Sequence, residues 1–258
     1  METILSRRTT IIAAAAAAGV ALNRSAATAA VPGAAADGVR IMPLGDSITD
    51  GYTFYPGSYR VELWRRLAAD GRTADFVGSL ANGPAELADR DHEGHTGWRI
   101  DQLDAHTDAW LQQSDPRTIT LLIGTNDLNQ NHDIANAPAR LSALIDRVRA
   151  AKPQCELFVG TVPPQSSAGL EERVRAYNAE LPGVVSRKGP HTHLVPIYDA
   201  LTTADLGDGI HPTEAGYRKM AAFWYDALRA VPDSLVPLSA TSADTRTTPT
   251  DTPTKEAV

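Results

Sequence analysis

The sequence predicts an α/β protein: a single-domain three-layer α/β/α sandwich around a parallel, flavodoxin-like sheet of about five strands. Three observations carry this. Five short runs rich in Val, Ile, Leu or Phe alternate with amphipathic helical stretches. Strands separated by helices are parallel, because each crossover must return across a sheet face. Polar, glycine-containing segments fall directly after the apolar runs, where open α/β sheets form their sites.

Taken in order, residues 1–36 read as an export signal. Ser6-Arg7-Arg8 precedes an apolar stretch from Ile11 to Leu22, followed by small residues that offer A-x-A cleavage sites after Ala29 or Ala36. The arginine pair before an alanine-rich run fits the twin-arginine type. A stretch of about twelve residues is too short for the roughly twenty that span a bilayer, so secretion is expected rather than membrane anchoring. The first strand is Val39–Leu44. A helix over Ser58–Ala69 follows from Val61, Trp64 and Leu67 at helical spacing, with Asp70-Gly71 as its stop. Strands are then expected at Ala74–Gly78, Thr118–Ile123, Glu156–Thr161 and His193–Ile197. Helices are expected at Ile100–Gln112, Ile134–Ala151 (closed by Lys152-Pro153), Leu170–Ser186 and Thr213–Ala230. From Asp233 the chain turns to Thr, Ser, Pro, Ala and Asp, a composition that cannot offset the entropy of ordering. The folded unit is therefore 37–232, with 233–258 a disordered tail.

The formal charge is −7 over 258 residues. The segment through Ala36 carries Arg7, Arg8 and Arg24 against Glu2, so its removal takes the charge from −7 to −9. An acidic body without a basic cluster argues against nucleic-acid binding and against adhesion to anionic membranes. The single cysteine, Cys155, at the start of a strand, excludes an internal disulfide and a thiolate-rich metal site.

The residues that carry chemistry lie at the expected edge of the sheet. Ser47, in Gly45-Asp46-Ser47-Ile48, sits where the first strand ends, so its hydroxyl and its N–H can face one cavity. A turn followed by a helix cap is the plain alternative. The G-x-S-x-G elbow is absent around Ser47. Asp208 and His211 stand three apart, a spacing at which a carboxylate can hold one imidazole nitrogen while the other points away. Serine, histidine and carboxylate supply the three roles of a nucleophilic hydrolase. Asn126, in Ile123-Gly124-Thr125-Asn126-Asp127, either satisfies turn backbone or donates its NH₂ to a developing oxyanion. Gly97, in Gly94-His95-Thr96-Gly97-Trp98, can add a backbone N–H with no side chain in the way.

Gly-Asp-Ser, a loop glycine, Gly-x-Asn-Asp and Asp-x-x-His, in that order, resemble the four blocks of the SGNH (GDSL-type) hydrolases. The resemblance spans essentially the whole folded unit. It implies Ser47 as nucleophile and first oxyanion donor, Gly97 and Asn126 as the other donors, His211 as base and Asp208 as its partner. The stretches Arg40–Gly51, Gly57–Leu63, Asp75–Ser79 and Asp91–Ile100 are further similar to the acetyl xylan esterases of the third carbohydrate esterase family. That resemblance implies an esterase that removes O-acetyl groups from polysaccharide or oligosaccharide without a cofactor. Two other readings remain: a broad carboxylesterase or lipolytic relative, separated by its acyl-chain range, and a non-catalytic carbohydrate-binding protein, which would not be expected to keep both Ser47 and His211.

His92-Glu93-Gly94-His95 does not fit the helical zinc motif, whose histidines stand four apart, and reads as a polar loop at the substrate edge. No metal site is expected. His191 and His193 flank a strand start as solvent-facing residues. Tyr52, Phe54 and Tyr55, just after Ser47, form a sugar-stacking platform or pack on the adjacent helix; Trp98 beside Gly97 presents the same choice.

Overall fold

The computed structural model describes residues 38–51 and 55–237. The export-signal reading of 1–36 and the candidates Tyr52 and Phe54 lie outside the described residues. No helix among the described residues is long and apolar enough to cross a membrane.

The elements run β1 (Val39–Gly45), α1 (Ser47–Asp50), α2 (Ser58–Ala69), β2 (Ala74–Phe76), β3 (Leu80–Ala81), β4 (Asp91–Gly94), α3 (Ile100–Ser114), β5 (Thr118–Leu122) and α4 (Thr125–Asn129). They continue with α5 (Ala137–Ala151), β6 (Glu156–Gly160), α6 (Ala168–Val185), β7 (Thr192–Val195) and α7 (Glu214–Ala230). The five expected strands are β1, β2, β5, β6 and β7, and they pair in parallel in the order β2-β1-β5-β6-β7. This is the flavodoxin-like order. Alternating side chains divide the core between the two faces. Ile41, Leu122 and Phe158 pack with α2 and α7, around Tyr59, Leu63, Tyr217 and Trp224. Met42, Leu121 and Leu157 pack with α3, α5 and α6, around Leu103, Leu144 and Leu181. Thr213 caps α7, its hydroxyl accepting the Gly216 N–H at 3.3 Å.

The sheet departs from expectation at one edge. The polar segment read as a loop is the strand β4, parallel to β1 through Leu44↔Glu93 and Gly45↔Gly94, with β3 antiparallel outside it. β2 takes the other half of the same β1 edge, at Val39↔Ala74 to Ile41↔Phe76. β4 carries no apolar alternation because it buries polar side chains, which hydrogen bonds hold except at His92 Nε2. The buried Glu93 carboxylate accepts from Ser79 N (2.7 Å) and Ser79 Oγ (2.7 Å), and His92 Nδ1 accepts from Gly94 N at 3.0 Å.

Two further expectations are corrected. The chain does not leave the core at Asp233: residues Pro232–Leu235 form a short 3₁₀ turn, Ser234 and Leu235 are buried, and Thr118 Oγ1 donates to Ser234 O at 2.6 Å. Residues 238–258 of the expected tail lie outside the described residues. His191 and His193 are not free solvent-facing rings, for both hold the buried carboxylate of Glu156. His191 Nδ1 lies 2.7 Å from Oε1 and His193 Nε2 lies 2.7 Å from Oε2. Cys155 is buried where expected, and burial pushes its thiol up to about 12, far from a reactive thiolate.

Candidate active site

The register of the sheet gathers three segments at one edge. Gly45, the last residue of β1, pairs with Leu122 of β5 on one side and Gly94 of β4 on the other. Ser47, Asn126 and Gly97 follow these three positions at once. Ser47 opens α1, whose N-cap is Asp46; the Asp46 carboxylate accepts the Ile48 N–H at 2.9 Å. Among the described residues, neither Ser47 N–H nor Gly97 N–H has a hydrogen-bond partner. Gly97 has φ +81° and, among the described residues, open space where a Cβ would stand.

Asn126 lies in the first turn of α4. Its Nδ2 donates one hydrogen to Trp98 O at 2.9 Å, which ties it to the Gly97 turn and leaves a second hydrogen to donate. Asp127 beside it is fully buried. It accepts the Ile100 N–H (3.0 Å), an otherwise orphan donor at the start of α3, and an Arg140 N–H (2.8 Å). Asp127 thus fixes α4 against α3 and α5.

Asp208 and His211 stand in a tight loop before α7, closed by the bridge Leu206↔Pro212 and by Gly207 N–H donating to His211 O at 2.8 Å. Asp208 Oδ1 accepts from Ile210 N (2.9 Å) and His211 N (2.8 Å), and Oδ2 takes the His211 Nδ1–H at 2.8 Å. Partial burial works to raise this carboxyl, but the His211 backbone and ring donors and the Ile210 N–H hold it below the usual carboxylate range. With Nδ1–H committed to Asp208, the network assigns His211 Nε2 as an acceptor, and it lies 2.8 Å from Ser47 Oγ. The loop rests on the segment after β6, where Ser166 N–H donates to Gly209 O at 2.9 Å.

Ser47, His211 and Asp208 therefore form one hydrogen-bonded relay, and Gly97 and Asn126 border it. The aromatic candidates have other neighbours. The Tyr55 ring stacks on Tyr217, centroids 6.2 Å apart. Trp98 is covered on one face by His95 at 4.2 Å and packs near Trp110 and His106. Both rings thus have packing neighbours within the fold. His95 Nε2 bonds Glu93 Oε1 at 2.6 Å, so this histidine braces β4. Sequence reasoning missed Asp50 and Gln130, which bind the Gly97 turn from two sides, and Thr96, the turn residue that meets Asp50. Their residue types are common in any polar loop, so no local signal marks them.

A flavodoxin-like sheet with a serine-histidine-carboxylate relay at its carboxyl edge defines a class, that of the nucleophilic serine hydrolases. The match to known proteins narrows it. The model of the GDSL-like lipase/acylhydrolase family matches residues 44–219, and the chain belongs to that family. Among solved structures, the chain is similar to a Clostridium thermocellum family 3 carbohydrate esterase. The two are 37% identical with a TM-score of 0.70, and the likeness covers 77% of this chain and 98% of that one. It is also similar to a family 3 carbohydrate esterase from Talaromyces cellulolyticus, at 27% identity and a TM-score of 0.65, covering 74% of this chain and 97% of that one. A multidomain esterase of Ruminococcus flavefaciens is 29% identical over 225 residues, which are 75% of this chain. The match spans 29% of that protein's length, and 60% of the length of a second relative, a putative endoglucanase X of Acetivibrio thermocellus.

Proposed function

We propose that the protein is a secreted serine esterase that removes O-acetyl groups from carbohydrate through an acyl-enzyme. The observation that carries the mechanism is the unbroken chain Ser47 Oγ–His211 Nε2–His211 Nδ1–Asp208 Oδ2, both links 2.8 Å. Ser47 Oγ attacks the acetyl carbonyl carbon while its proton passes to His211 Nε2. The carbonyl oxygen becomes an oxyanion facing three donors: the Ser47 N–H, the Gly97 N–H and the second Asn126 Nδ2 hydrogen. Imidazolium, stabilised by Asp208, returns the proton to the departing sugar oxygen, and the C–O bond breaks to leave acetyl-Ser47. Water then loses a proton to His211 as it attacks the acyl carbon; acetate departs and Ser47 regains its proton.

The likeness to family 3 carbohydrate esterases supports acetylated carbohydrate as substrate. The Arg7-Arg8 pair and the apolar run after it support export. The test uses purified protein and Ser47→Ala. The expected result is acetate release from acetylated xylan, faster hydrolysis of acetate than of octanoate esters, and loss of both activities in the variant. Undiminished turnover in folded Ser47→Ala would end the mechanism. Hydrolysis of long acyl esters alone would end the substrate reading.

A further inference from the structure

The donor of least certain orientation in such a site is a loop peptide, and here that peptide is held by a dedicated bond. His95–Trp98 is a β-turn closed by Trp98 N–H to His95 O at 3.1 Å. Its third residue, Gly97, has φ +81°, and its second, Thr96, is not among the positive-φ residues, which together mark a type II turn. The central peptide, Thr96–Gly97, carries the Gly97 N–H. In the competing type I turn that peptide is rotated by about 180°, and the N–H faces the other way. Glycine tolerates both forms, so its sequence alone does not choose between them.

Two contacts favour the observed form. On one side Thr96 Oγ1 donates to Asp50 Oδ2 at 2.6 Å. On the other, Gln130 Nε2 donates to Gly97 O at 3.0 Å, with Gln130 Oε1 itself held by Arg99 Nη1 at 2.8 Å. Asp50 is the last residue of α1, the element that Ser47 opens. Its Oδ1 accepts from Asn82 Nδ2, and its C=O accepts from Arg60 Nη2 at 3.3 Å. Among the described residues, the Thr96–Asp50 bond is the only side-chain hydrogen bond between α1 and the turn.

We infer that Asp50 and Thr96 are positioning residues: their bond holds the Thr96–Gly97 peptide in its type II orientation, keeping the Gly97 N–H aimed where the oxyanion forms. The inference rests on the esterase reading above and extends it to two residues that act through the orientation of the turn. Thr96→Val removes the donor while keeping shape, at an exposed position where folding is little at risk. Its kcat on an activated acetate ester should fall about tenfold or more, since loss of one oxyanion donor costs a hundredfold to a thousandfold and a misaimed donor part of that. KM should change less than twofold. Inhibition by an alkylboronic acid, whose tetrahedral adduct on Ser47 places an anionic oxygen in the same site, should weaken in step with kcat. Thr96→Ser should restore both. Asp50→Asn combined with Thr96→Val should be no slower than the slower single variant, because both act through one bond.

A Thr96→Val kcat within twofold of the parent, boronic acid affinity unchanged beside a lowered kcat, or multiplying effects in the double variant would each overturn the inference. Ser47→Ala, run in parallel, separates the two levels. If Ser47→Ala is inactive while Thr96→Val is fully active, the tether fails and the esterase reading stands; if Ser47→Ala is active, the esterase reading fails with it.

Discussion

Asp46, the residue before the nucleophile, carries a testable electrostatic cost. Its side chain is fully buried, with Oδ1 on the Ile48 N–H and Oδ2 without a hydrogen-bond partner. Burial pushes its carboxyl from the ordinary 3.8 up to about 6, against the downward pull of the Ile48 N–H and the His211 charge. A folded value raised above the unfolded one favours the folded state fully below the unfolded value, and that contribution is lost as pH rises through the folded value. The full loss is about 3 kcal/mol, from about 1.4 kcal/mol per pH unit over the interval between the two values, and about 2.5 kcal/mol of it falls between pH 4 and pH 8. Asp46→Asn keeps the capping oxygen and cannot ionise. It also replaces an ionisable oxygen with a buried NH₂ near the Thr125 hydroxyl, a change whose contribution does not vary with pH. The prediction therefore concerns the slope: relative to the parent, the variant gains about 2.5 kcal/mol from pH 4 to pH 8. Urea unfolding at unit pH steps measures it from midpoints at constant m. Parent and variant curves that stay parallel within about 0.5 kcal/mol would refute the reasoning, since surface substitutions alone move stability by that much.

Two further outcomes follow from the same geometry. Asp208→Asn presents an NH₂ or an amide oxygen to His211 Nδ1, so the tautomer that leaves Nε2 free to accept is no longer enforced; kcat on an acetate ester should fall by about 10³–10⁴, measured at pH 7 with the melting temperature as a folding control. Glu156→Gln weakens the clamp of His191 and His193 on the β6 start. Burial works to raise the Glu156 carboxyl, but the two imidazoles hold it below its ordinary range, so its contribution is present above the unfolded value of about 4.5 and is lost as pH falls through the folded one. The parent should accordingly be the more stable at pH 7, with the gap narrowing as pH is lowered past the carboxylate range, read by thermal unfolding across pH.

Which parts of the molecule were legible in the sequence follows from what each part depends on. The five parallel strands and the long helices rest on apolar period, which a single chain displays, and Ser58–Ala69 was readable to the residue because Asp70-Gly71 ends it. β4 was not legible because Asp91-His92-Glu93-Gly94 buries polar side chains held by Ser79, His95 and its own backbone, a pattern with no periodic signature. The short helices α1 and α4 escaped because four or five residues cannot show a period of 3.6. The relay of Ser47, Asp208 and His211 was legible from order and spacing. The roles of Asp50, Thr96 and Asp127 were not, since each is defined by a partner distant in sequence: Asp50 meets Thr96, and Asp127 meets Ile100 and Arg140.

That a four-residue helix can hold a nucleophile in place calls for a physical reason, because so short a helix has no stability of its own. Its position is set from outside. A Cβ on Gly94 would stand 2.6 Å from Asp50 N and 3.0 Å from Thr49 C, so α1 rests directly on the end of β4. At its far end, Thr49 O and Asp50 O have no turn of helix to bond, and the buried guanidinium of Arg60 on α2 bonds both, at 3.3 Å each. Burial lowers that guanidinium to about 10, which still leaves it charged at neutral pH. α2 packs along α7, and α7 begins three residues beyond His211. Ser47 and His211 are thus referenced to one helix pair on one face of the sheet, Ser47 through Arg60 and His211 through the start of α7. Residues 164 positions apart in sequence meet at 2.8 Å because both are positioned from that shared face, and not because either loop is rigid alone.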